Sequence, residues 1–532
     1  MGRNAAGEAF LRGFCKCQTA KDIFLYAAKE SFFPEIKELS DQFGITDYAK
    51  FLSPMRHGAL MEPGALFYPG PDIGHQAFLR SSFGHTSWSL CGITHTTSST
   101  GAMDALCELI TAPVQPWDAI ICTSQAVKKN VEIVLQSQVD YLKDRLGITK
   151  LILPQLPVIP LGVHSSDFDF SEDQRTLSRL ELGIADDAIV VLYLGRLSFH
   201  AKAHPFPMYR ALEMAKSETQ KDVVLVECGW YANDHIKKAF DEGASAICPS
   251  VRRIFLDGRS QNLRKQAWSC ADVFCSLSDN IQETFGITPI EAMAAGLPVI
   301  VSDWDGYKDT VRDGIDGFRI PTCMPPPGLG GDLALRHALS IDSYDMYCGY
   351  SASFIAVDIE TTAAAFKSLF NNPEFGKKMG SEGKKRAQTV YDWSSIIPLY
   401  EALWSQLSQL RNEVSQKSDA RVPNVWPARL DPFTIFENYP SKTLSLELIV
   451  SLQKGDVERA LRDLSATKDL TILNYTHAIL PTHEEMQEII NVIAQRVSVS
   501  VEGVIAHFSQ KRRPFIFRGL AWLFKMGIVK KV

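Results

Sequence analysis

The chain has 532 residues, too many for one hydrophobic core, so two large domains and a smaller third one are expected. Hydrophobic residues make up 45% and charged residues 22%, as in ordinary globular proteins, and the formal net charge of -6 excludes a general attraction to nucleic acid or anionic membranes. The 11 cysteines lack the paired spacing of a metal centre, and the first residues lack a signal-peptide profile, which predicts a reduced, cytoplasmic protein.

Residues 1–165 are predicted to form a first α/β domain. The segment "DAIICTSQAVKKNVEIVL", residues 118–135, is typical of a strand, a turn and a helix. The segment "VIPLGVHSSDF", residues 158–168, contains Pro and Gly that interrupt regular structure, and we interpret it as the crossing into the next domain.

Residues 166–395 are predicted to form a second α/β domain, in which strands and helices alternate. The strand segments are "DAIVVLYLG", "KDVVLVECG", "DVFCSLS" and "LPVIVS". Because these runs are apolar without alternation, both faces of the sheet should be covered, which indicates a doubly wound parallel sheet. Such sheets bind ligands beyond the carboxyl ends of their strands, so the loops that start at Gly195, Cys228, Ser278 and Asp303 are candidate binding loops.

The rest of the chain is predicted to contain a crossover helix at 396–412, a polar linker at 413–430 and a small, mostly helical or winged-helix-like module at 431–532. Residues 511–531 carry seven basic residues and no acidic one. They favour either peripheral membrane contact or a core helix followed by "GIVKK" as an edge strand. The core helix is the preferred interpretation, since basic charge commonly flanks such helices.

Charged residues concentrate in two of the candidate loops. Glu283 precedes an Ala-rich helix whose amino end offers free N–H groups, and Glu291 lies eight positions later, roughly 12 Å along a helix. Two carboxylates so far apart are suited to hydroxyl groups at the two ends of an extended ligand. Arg196 and Lys202, in "GRLSFHAK", would hold a phosphate between them.

The segments "YLGRLSFHAK", "QETFGITPIEAMAAGLPVIVSDWDGYKDTVRDGIDGF" and "IPLGVHSSDF" together resemble the family-four retaining glycosyltransferases (glycosyl transferases group 1). Their motif is Glu, seven residues and Glu, and the resemblance covers about residues 1–412. It implies the GT-B fold, with two Rossmann-like domains facing a cleft. The amino-terminal domain would bind the acceptor, and the carboxyl-terminal domain would bind a nucleotide-sugar donor.

The resemblance implies a donor site formed by Arg196, Lys202, Glu283, Phe285, Gly286, Ile287 and Glu291. Glu283 and the backbone amides after it would bind sugar hydroxyls, and Glu291 would hold the ribose. Arg196 and Lys202 would neutralise the departing diphosphate, so no metal or other cofactor is expected. The sugar would keep its anomeric configuration, through attack on the face that the leaving group occupies.

Two further residues are assigned by the resemblance. His95, in "GITHTTSS", is a candidate catalytic residue together with Glu283, Arg196 and Lys202, and would bind the donor sugar near the reacting carbon; the alternative is a structural histidine. Gly7, in "GRNAAGEAFLRGF", resembles the glycine loop close to donor and acceptor. The strand that would precede this loop is absent from the sequence, which leaves the first sheet incomplete or completed by another segment.

The sequence also departs from the family pattern. Lys202 is followed by Ala203 in a lengthened loop, and Asp305 and Gly306 stand where two glycines are frequent, so no ligand contact is assigned to that second loop. The segment "PTCMPPPGLGGD", residues 321–332, is an insertion that either approaches the cleft or covers the surface.

Three classes of function remain open. The favoured one is a glycosyltransferase that moves a hexose-type sugar to a glycan, a lipid-linked or a small-molecule acceptor. The second is another GT-B activity, either a sugar-nucleotide epimerase, which needs no acceptor, or a phosphorylase, which carries a lysine-bound pyridoxal cofactor. The third is a non-catalytic scaffold whose carboxyl-terminal module binds a partner.

Overall fold

A computed structural model describes residues 2–20, 22–27, 29–417, 426–467 and 470–532. It divides the chain into two compact units, residues 1–426 and 427–532. Part of the predicted linker, residues 418–425, lies outside the described residues.

The first unit contains both α/β domains. Its described helices are α1 (Gly2–Cys17), α2 (Phe33–Gln42), α3 (Ile73–Ser81), α4 (Thr100–Glu108), α5 (Gln125–Leu146), α6 (Glu172–Glu181), α7 (Phe206–Lys216), α8 (Asp234–Ile247), α9 (Gln261–Cys270), α10 (Ile287–Ala294), α11 (Tyr307–Thr310), α12 (Gly331–Ala338), α13 (Tyr344–Ala352), α14 (Ile359–Asn371), α15 (Pro373–Arg386) and α16 (Trp393–Lys417). Its described strands are β1 (Ile23–Tyr26), β2 (Ala49–Leu52), β3 (Ala65–Phe67), β4 (Ser89–Ile93), β5 (Ala119–Ile121), β6 (Ile189–Leu197), β7 (Val223–Tyr231), β8 (Arg252–Asp257), β9 (Val273–Ser276), β10 (Val299–Ser302), β11 (Gly317–Ile320), β12 (Thr322–Cys323) and β13 (Ala356–Val357).

The carboxyl-terminal α/β domain is built on a six-stranded sheet with the order β11-β10-β9-β6-β7-β8. All of its neighbouring strands are parallel. The strands β9 and β10 are buried along their whole length, as their unbroken apolar sequences predicted. The strand order reverses between β6 and β9, and a ligand crevice is therefore expected beyond the carboxyl ends of these two strands. The predicted doubly wound sheet is confirmed.

The amino-terminal domain contains a parallel sheet of β3, β4 and β5, and a separate parallel pair, β1 and β2. Residues Gln155 and Val158 extend the larger sheet by bridging beyond β5. Residues of α16, such as Ile397, share a buried cluster with β4 and β5, and α1 packs on this cluster through Phe10. Gly7 lies inside α1, so the predicted glycine loop is wrong at this position.

The chain crosses between the two domains twice, and the two crossings lie side by side. Val163 on the first crossing donates its N–H to the Tyr391 carbonyl at 2.8 Å, and the Val163 carbonyl accepts from the Trp393 N–H at 3.1 Å. The helix α16 then returns to the amino-terminal sheet and includes the predicted crossover residues 396–412. Two Rossmann-like domains joined in this way form the GT-B fold that the sequence predicted.

The second unit is a small α/β module. Its described helices and strands are α17 (Pro432–Ile435), β14 (Ile449–Leu452), α18 (Val457–Thr467), α19 (Thr471–Asn474), α20 (His483–Arg496), β15 (Val499–Ser500), α21 (Val501–Ile505), α22 (Arg513–Lys525) and β16 (Val529–Lys531). The three strands form an antiparallel sheet with β16 at one edge.

The basic helix α22 contributes to the core of this module. Its residues Ile516, Leu520 and Leu523 are buried in one hydrophobic cluster with residues of β14 and α20. This packing matches the interpretation of residues 511–531 as a core helix followed by an edge strand. Within the described ranges, no helix is both long and apolar enough to cross a lipid bilayer.

Candidate active site

The loops after β6 and β9 meet at the point where the strand order reverses. Lys202, on the first loop, forms an ion pair through its Nζ with Glu283 Oε2 on the second. The Arg196 guanidinium donates to the Ala201 carbonyl at 2.6 Å and to Gln282 Oε1 at 2.8 Å. Three of the predicted site residues, Arg196, Lys202 and Glu283, are therefore brought together at the expected crevice.

The carboxyl group of Glu283 lies in a largely buried position, with 10% of its side chain exposed. Burial acts to raise its pKa, but the Lys202 ammonium and the amides of Thr284 and Phe285 together hold the pKa below its ordinary value. Glu283 is therefore an ionised hydrogen-bond acceptor near neutral pH. The Phe285 amide, predicted to contact the donor, interacts with the Glu283 carboxylate in this structure.

The helix α10 begins directly behind this carboxylate because Gly286 turns the chain. Gly286 has a φ of +79°, and a Cβ atom there would lie 1.8 Å from Cε1 of Tyr307. Both facts require glycine at this position. Ile287 is the first residue of α10, so the amino end of the helix points into the predicted donor site.

Glu291 lies one turn further along α10, on the side of the sheet where Arg264 is found. Burial raises the pKa of Glu291 to about 7, while the positive charge of Arg264 acts in the opposite direction. Arg264 Nη1 donates to the carbonyl of Gly258, the residue that follows β8. The Glu291 carboxyl group is therefore near its titration point at neutral pH, and Arg264 is a neighbouring charge that the sequence analysis did not identify.

His95 reaches the same place from the amino-terminal domain. It follows β4, and its backbone carbonyl accepts from Thr284 Oγ1 at 3.2 Å. Ser124, which follows β5, donates from its Oγ to the Thr284 carbonyl at 2.9 Å. The carboxyl ends of both sheets thus meet at Thr284, directly beside Glu283, and this contact joins the two domains across the cleft.

Two carboxyl groups beside the site, buried Asp279 and half-buried Asp305, were not predicted to be enclosed there. Asp279 accepts from the His204 N–H at 3.3 Å, and burial raises its pKa to about 7. Asp305 follows β10, and burial together with the negative charge of Glu283 raises its pKa well above the ordinary range. Only the three-dimensional structure reveals these groups, because their sequence neighbourhoods resemble ordinary polar loops.

The predicted insertion, residues 321–332, leads into the helices α12 and α13. Residues 323–332 are exposed, but the helices that follow contact the amino-terminal domain. Tyr344 Oη in α13 lies 2.9 Å from Ser98 Oγ, and His337 Nε2 in α12 lies 3.1 Å from Thr100 Oγ1. The helices α12 and α13 therefore bridge the cleft near His95, while residues 323–332 of the insertion lie on the surface. Gly7 lies in a helix that packs on α16.

Several curated bacterial proteins are similar to part of this chain. The D-inositol 3-phosphate glycosyltransferase of Geodermatophilus obscurus is 30% identical over 170 residues, which are 31% of this chain and 36% of that protein. The phosphatidyl-myo-inositol mannosyltransferase of Mycobacterium tuberculosis is 41% identical over 173 residues, which are 32% of this chain and 40% of that protein. The chain thus spans less than half of the length of these two curated relatives.

Solved structures show a more distant similarity. The Anabaena HepE structure in complex with UDP is 14% identical, with a TM-score of 0.48, and the comparison covers 79% of this chain and 97% of that one. A glycosyltransferase from Rickettsia africae is 12% identical, with a TM-score of 0.49 and a coverage of 76% and 94%.

Residues 174–325 match the family described as glycosyl transferases group 1. This region contains the whole six-stranded sheet, with Arg196 at the end of β6, Lys202 and Glu283 in the loops after β6 and β9, and Glu291 in α10. The resemblance noted in these motifs is confirmed by this match over residues 174–325.

Proposed function

We propose that this chain transfers a sugar from a nucleotide-diphosphate sugar to an acceptor bound in the cleft. The observation that carries the proposal is the ion pair between Lys202 and Glu283, which lies beside Arg196 where the strand order of a group 1 glycosyltransferase domain reverses. Lys202 and Arg196, whose positive charges suit a diphosphate, thereby lie beside Glu283, whose carboxylate suits sugar hydroxyls.

The ion pair supports a division of roles at this site. Lys202 and Arg196 would turn their positive charges to the diphosphate when the donor binds, which frees the Glu283 carboxylate to accept from sugar hydroxyls. The two side chains would stabilise the leaving diphosphate without a metal ion. Attack on the face of the leaving group, with retention of configuration, belongs to the same proposal.

Glu291 and His95 take the remaining roles. Glu291, on α10, would bind the ribose hydroxyls, with Arg264 beside it on the same side of the sheet. His95 would contact the sugar near the reacting carbon, which its position next to Thr284 supports. The amides of Gly286 and Ile287 at the start of α10 would face the same sugar.

The acceptor is proposed to be a glycan, a lipid-linked molecule or a small metabolite, bound by the amino-terminal domain. The names of the similar proteins include D-inositol 3-phosphate and phosphatidyl-myo-inositol, and these classes deserve the first trials. A cytoplasmic location, with peripheral membrane contact through residues 511–531, remains part of the proposal. Since the apolar side of α22 is buried, that contact would be electrostatic, through exposed residues such as Lys511 and Lys530.

The first test is ligand-induced thermal stabilisation by UDP, GDP, ADP and their hexose conjugates, without metal and then with Mg²⁺. We expect one nucleoside diphosphate and its hexose conjugate to raise the melting temperature. The rise should be the same without and with Mg²⁺. If no nucleotide stabilises a well-folded sample, the donor site is wrong and the scaffold hypothesis is favoured.

The second test is transfer by the Glu283→Ala variant, measured with the donor from the first test and a panel of acceptors. We expect transfer to fall by at least about 100-fold, because an interaction with the reacting sugar is lost, while the fold is kept. The matched control is Glu242→Ala on α8, a carboxylate with 68% exposure far from the crevice, which should retain full activity. Donor consumption without an acceptor would indicate an epimerase, and an internal aldimine absorption band a phosphorylase.

A further inference from the structure

Asp305 is held against the Glu283 loop by two contacts of its sequence neighbours. Trp304 Nε1 donates to the Asn280 carbonyl at 3.1 Å, which ties the loop after β10 to the loop after β9. Gly306 packs so closely that a Cβ atom there would lie 2.4 Å from Cα of Phe285. The backbone of Asp305 is therefore fixed beside the loop that carries Glu283.

The conformation of Asp305 is unfavourable by itself. Its φ of +44° lies in the left-handed region, where residues other than glycine are uncommon. Its Oδ2 is buried and has no hydrogen-bond partner among the residues that the structure describes. A strained residue with a buried polar atom left unpaired is a recurrent feature of ligand-binding sites, because a ligand supplies the missing partner.

The charges around Asp305 indicate which ligand group fits. Burial first, and then the negative charges of Glu283 and Asp309, raise the pKa of Asp305 well above its ordinary value, against the opposing effects of a hydrogen bond with the Gly306 amide and of Lys202. The raised pKa favours the protonated carboxyl group, which can both donate and accept a hydrogen bond. A sugar hydroxyl has the same double capacity, whereas a diphosphate oxygen only accepts and is repelled by Glu283.

We propose that Asp305 is a specificity-determining residue of the donor site, which hydrogen bonds to a hydroxyl group of the transferred sugar next to the one bound by Glu283. This role rests on the proposed transfer from a nucleotide sugar. It assigns recognition of the sugar part of the donor to the loop after β10. Asp305 would then discriminate between sugars by the hydroxyl at one ring position, with no effect on the nucleotide.

The test compares the affinity for UDP, GDP and ADP with the affinity for UDP-glucose, GDP-mannose and ADP-glucose, by titration calorimetry. In the Asp305→Gly variant we expect an unchanged Kd for the nucleoside diphosphate and a Kd about 10-fold higher for its sugar conjugate, the effect of one lost hydrogen bond. The fold should be retained, because glycine adopts this φ more readily than aspartate. Asp305→Asn keeps a donor and an acceptor, and should change the sugar-conjugate Kd by less than about 3-fold.

The outcomes separate the inference from the function on which it rests. If the wild-type protein binds none of the six probes, the proposed function is wrong and the inference is overturned with it. If the wild type binds but Asp305→Gly leaves both affinities unchanged, or weakens both equally, the specificity role is overturned while the donor site stands. The matched control is Lys308→Ala, an exposed residue in the adjoining helix α11, which should leave both affinities as they are.

Discussion

The ion pair between Lys202 and Glu283 can be tested by replacing Lys202 with Met, which removes the ammonium and keeps most of the aliphatic stem. The exposed fractions of the two side chains are 28% and 10%, so the remaining Glu283 carboxylate would be largely buried without its counterion. Breaking a fully buried pair costs about 3 to 5 kcal/mol of folding stability. Because solvent reaches Lys202, we expect about 1 to 3 kcal/mol.

The pH dependence of this loss has a definite sign. In the wild type the pKa of Glu283 is lowered, so its contribution to stability is present above its ordinary value of 4.5 and is lost as the pH falls through the folded value. Without Lys202, burial dominates and raises that pKa. The carboxylate of the variant then costs stability as the pH rises above 4.5, so the deficit should be larger at pH 8 than at pH 5.

The assay is urea denaturation and calorimetric melting of the full chain at pH 5 and pH 8, with Glu283→Gln and the double variant completing a cycle. The stability loss of the double variant should be smaller than the sum of the losses of the two single variants, since no unpaired carboxylate remains. The reasoning is refuted if the free energy of unfolding of Lys202→Met lies within about 0.5 kcal/mol of the wild-type value at both pH values, because such a difference is smaller than the usual effect of an interior substitution.

Two other predictions follow from the same loops. Gly286→Ala should lower the free energy of unfolding by about 2 to 4 kcal/mol and weaken donor binding, because its φ is +79° and a Cβ atom would lie 1.8 Å from Tyr307. The control Gly243→Ala, within α8, should be neutral or stabilising. Equal stabilities of the two variants in urea denaturation would contradict this prediction. Asp279, with a pKa raised by burial to about 7 from 3.8, should cost stability as the pH rises from 4 to 7. Asp279→Asn should therefore be more stable than the wild type at pH 8 by about 2 to 4 kcal/mol, since one pKa unit corresponds to about 1.36 kcal/mol. If the stability of this variant depends on pH as that of the wild type does, Asp279 is ionised in the native state and the prediction is wrong.

Local sequence patterns were sufficient to predict the strands that precede the donor-site loops. The apolar segments that end at Gly195 and Ser278 became β6 and β9, since a strand covered on both faces needs an unbroken apolar run. The prediction for Gly7 was wrong because α1 packs on the distant helix α16, where Phe10 meets the rings of Trp393 and Tyr400. A glycine among Ala, Glu and Leu is compatible with loop or helix, and this packing decides between them.

The sequence by itself determined four of the six strands of the large sheet, β6, β7, β9 and β10, and the edge of the sheet on which Arg196, Lys202 and Glu283 lie. It did so because parallel strands place the loops that follow them at one edge, and periodicity identifies the strands. Only the tertiary structure decided that Lys202 pairs with Glu283, that Asp279 and the Oδ2 atom of Asp305 are buried, and that Thr284 joins the two domains. Burial and pairing depend on atoms that lie far apart in the chain, and no local pattern encodes those distances.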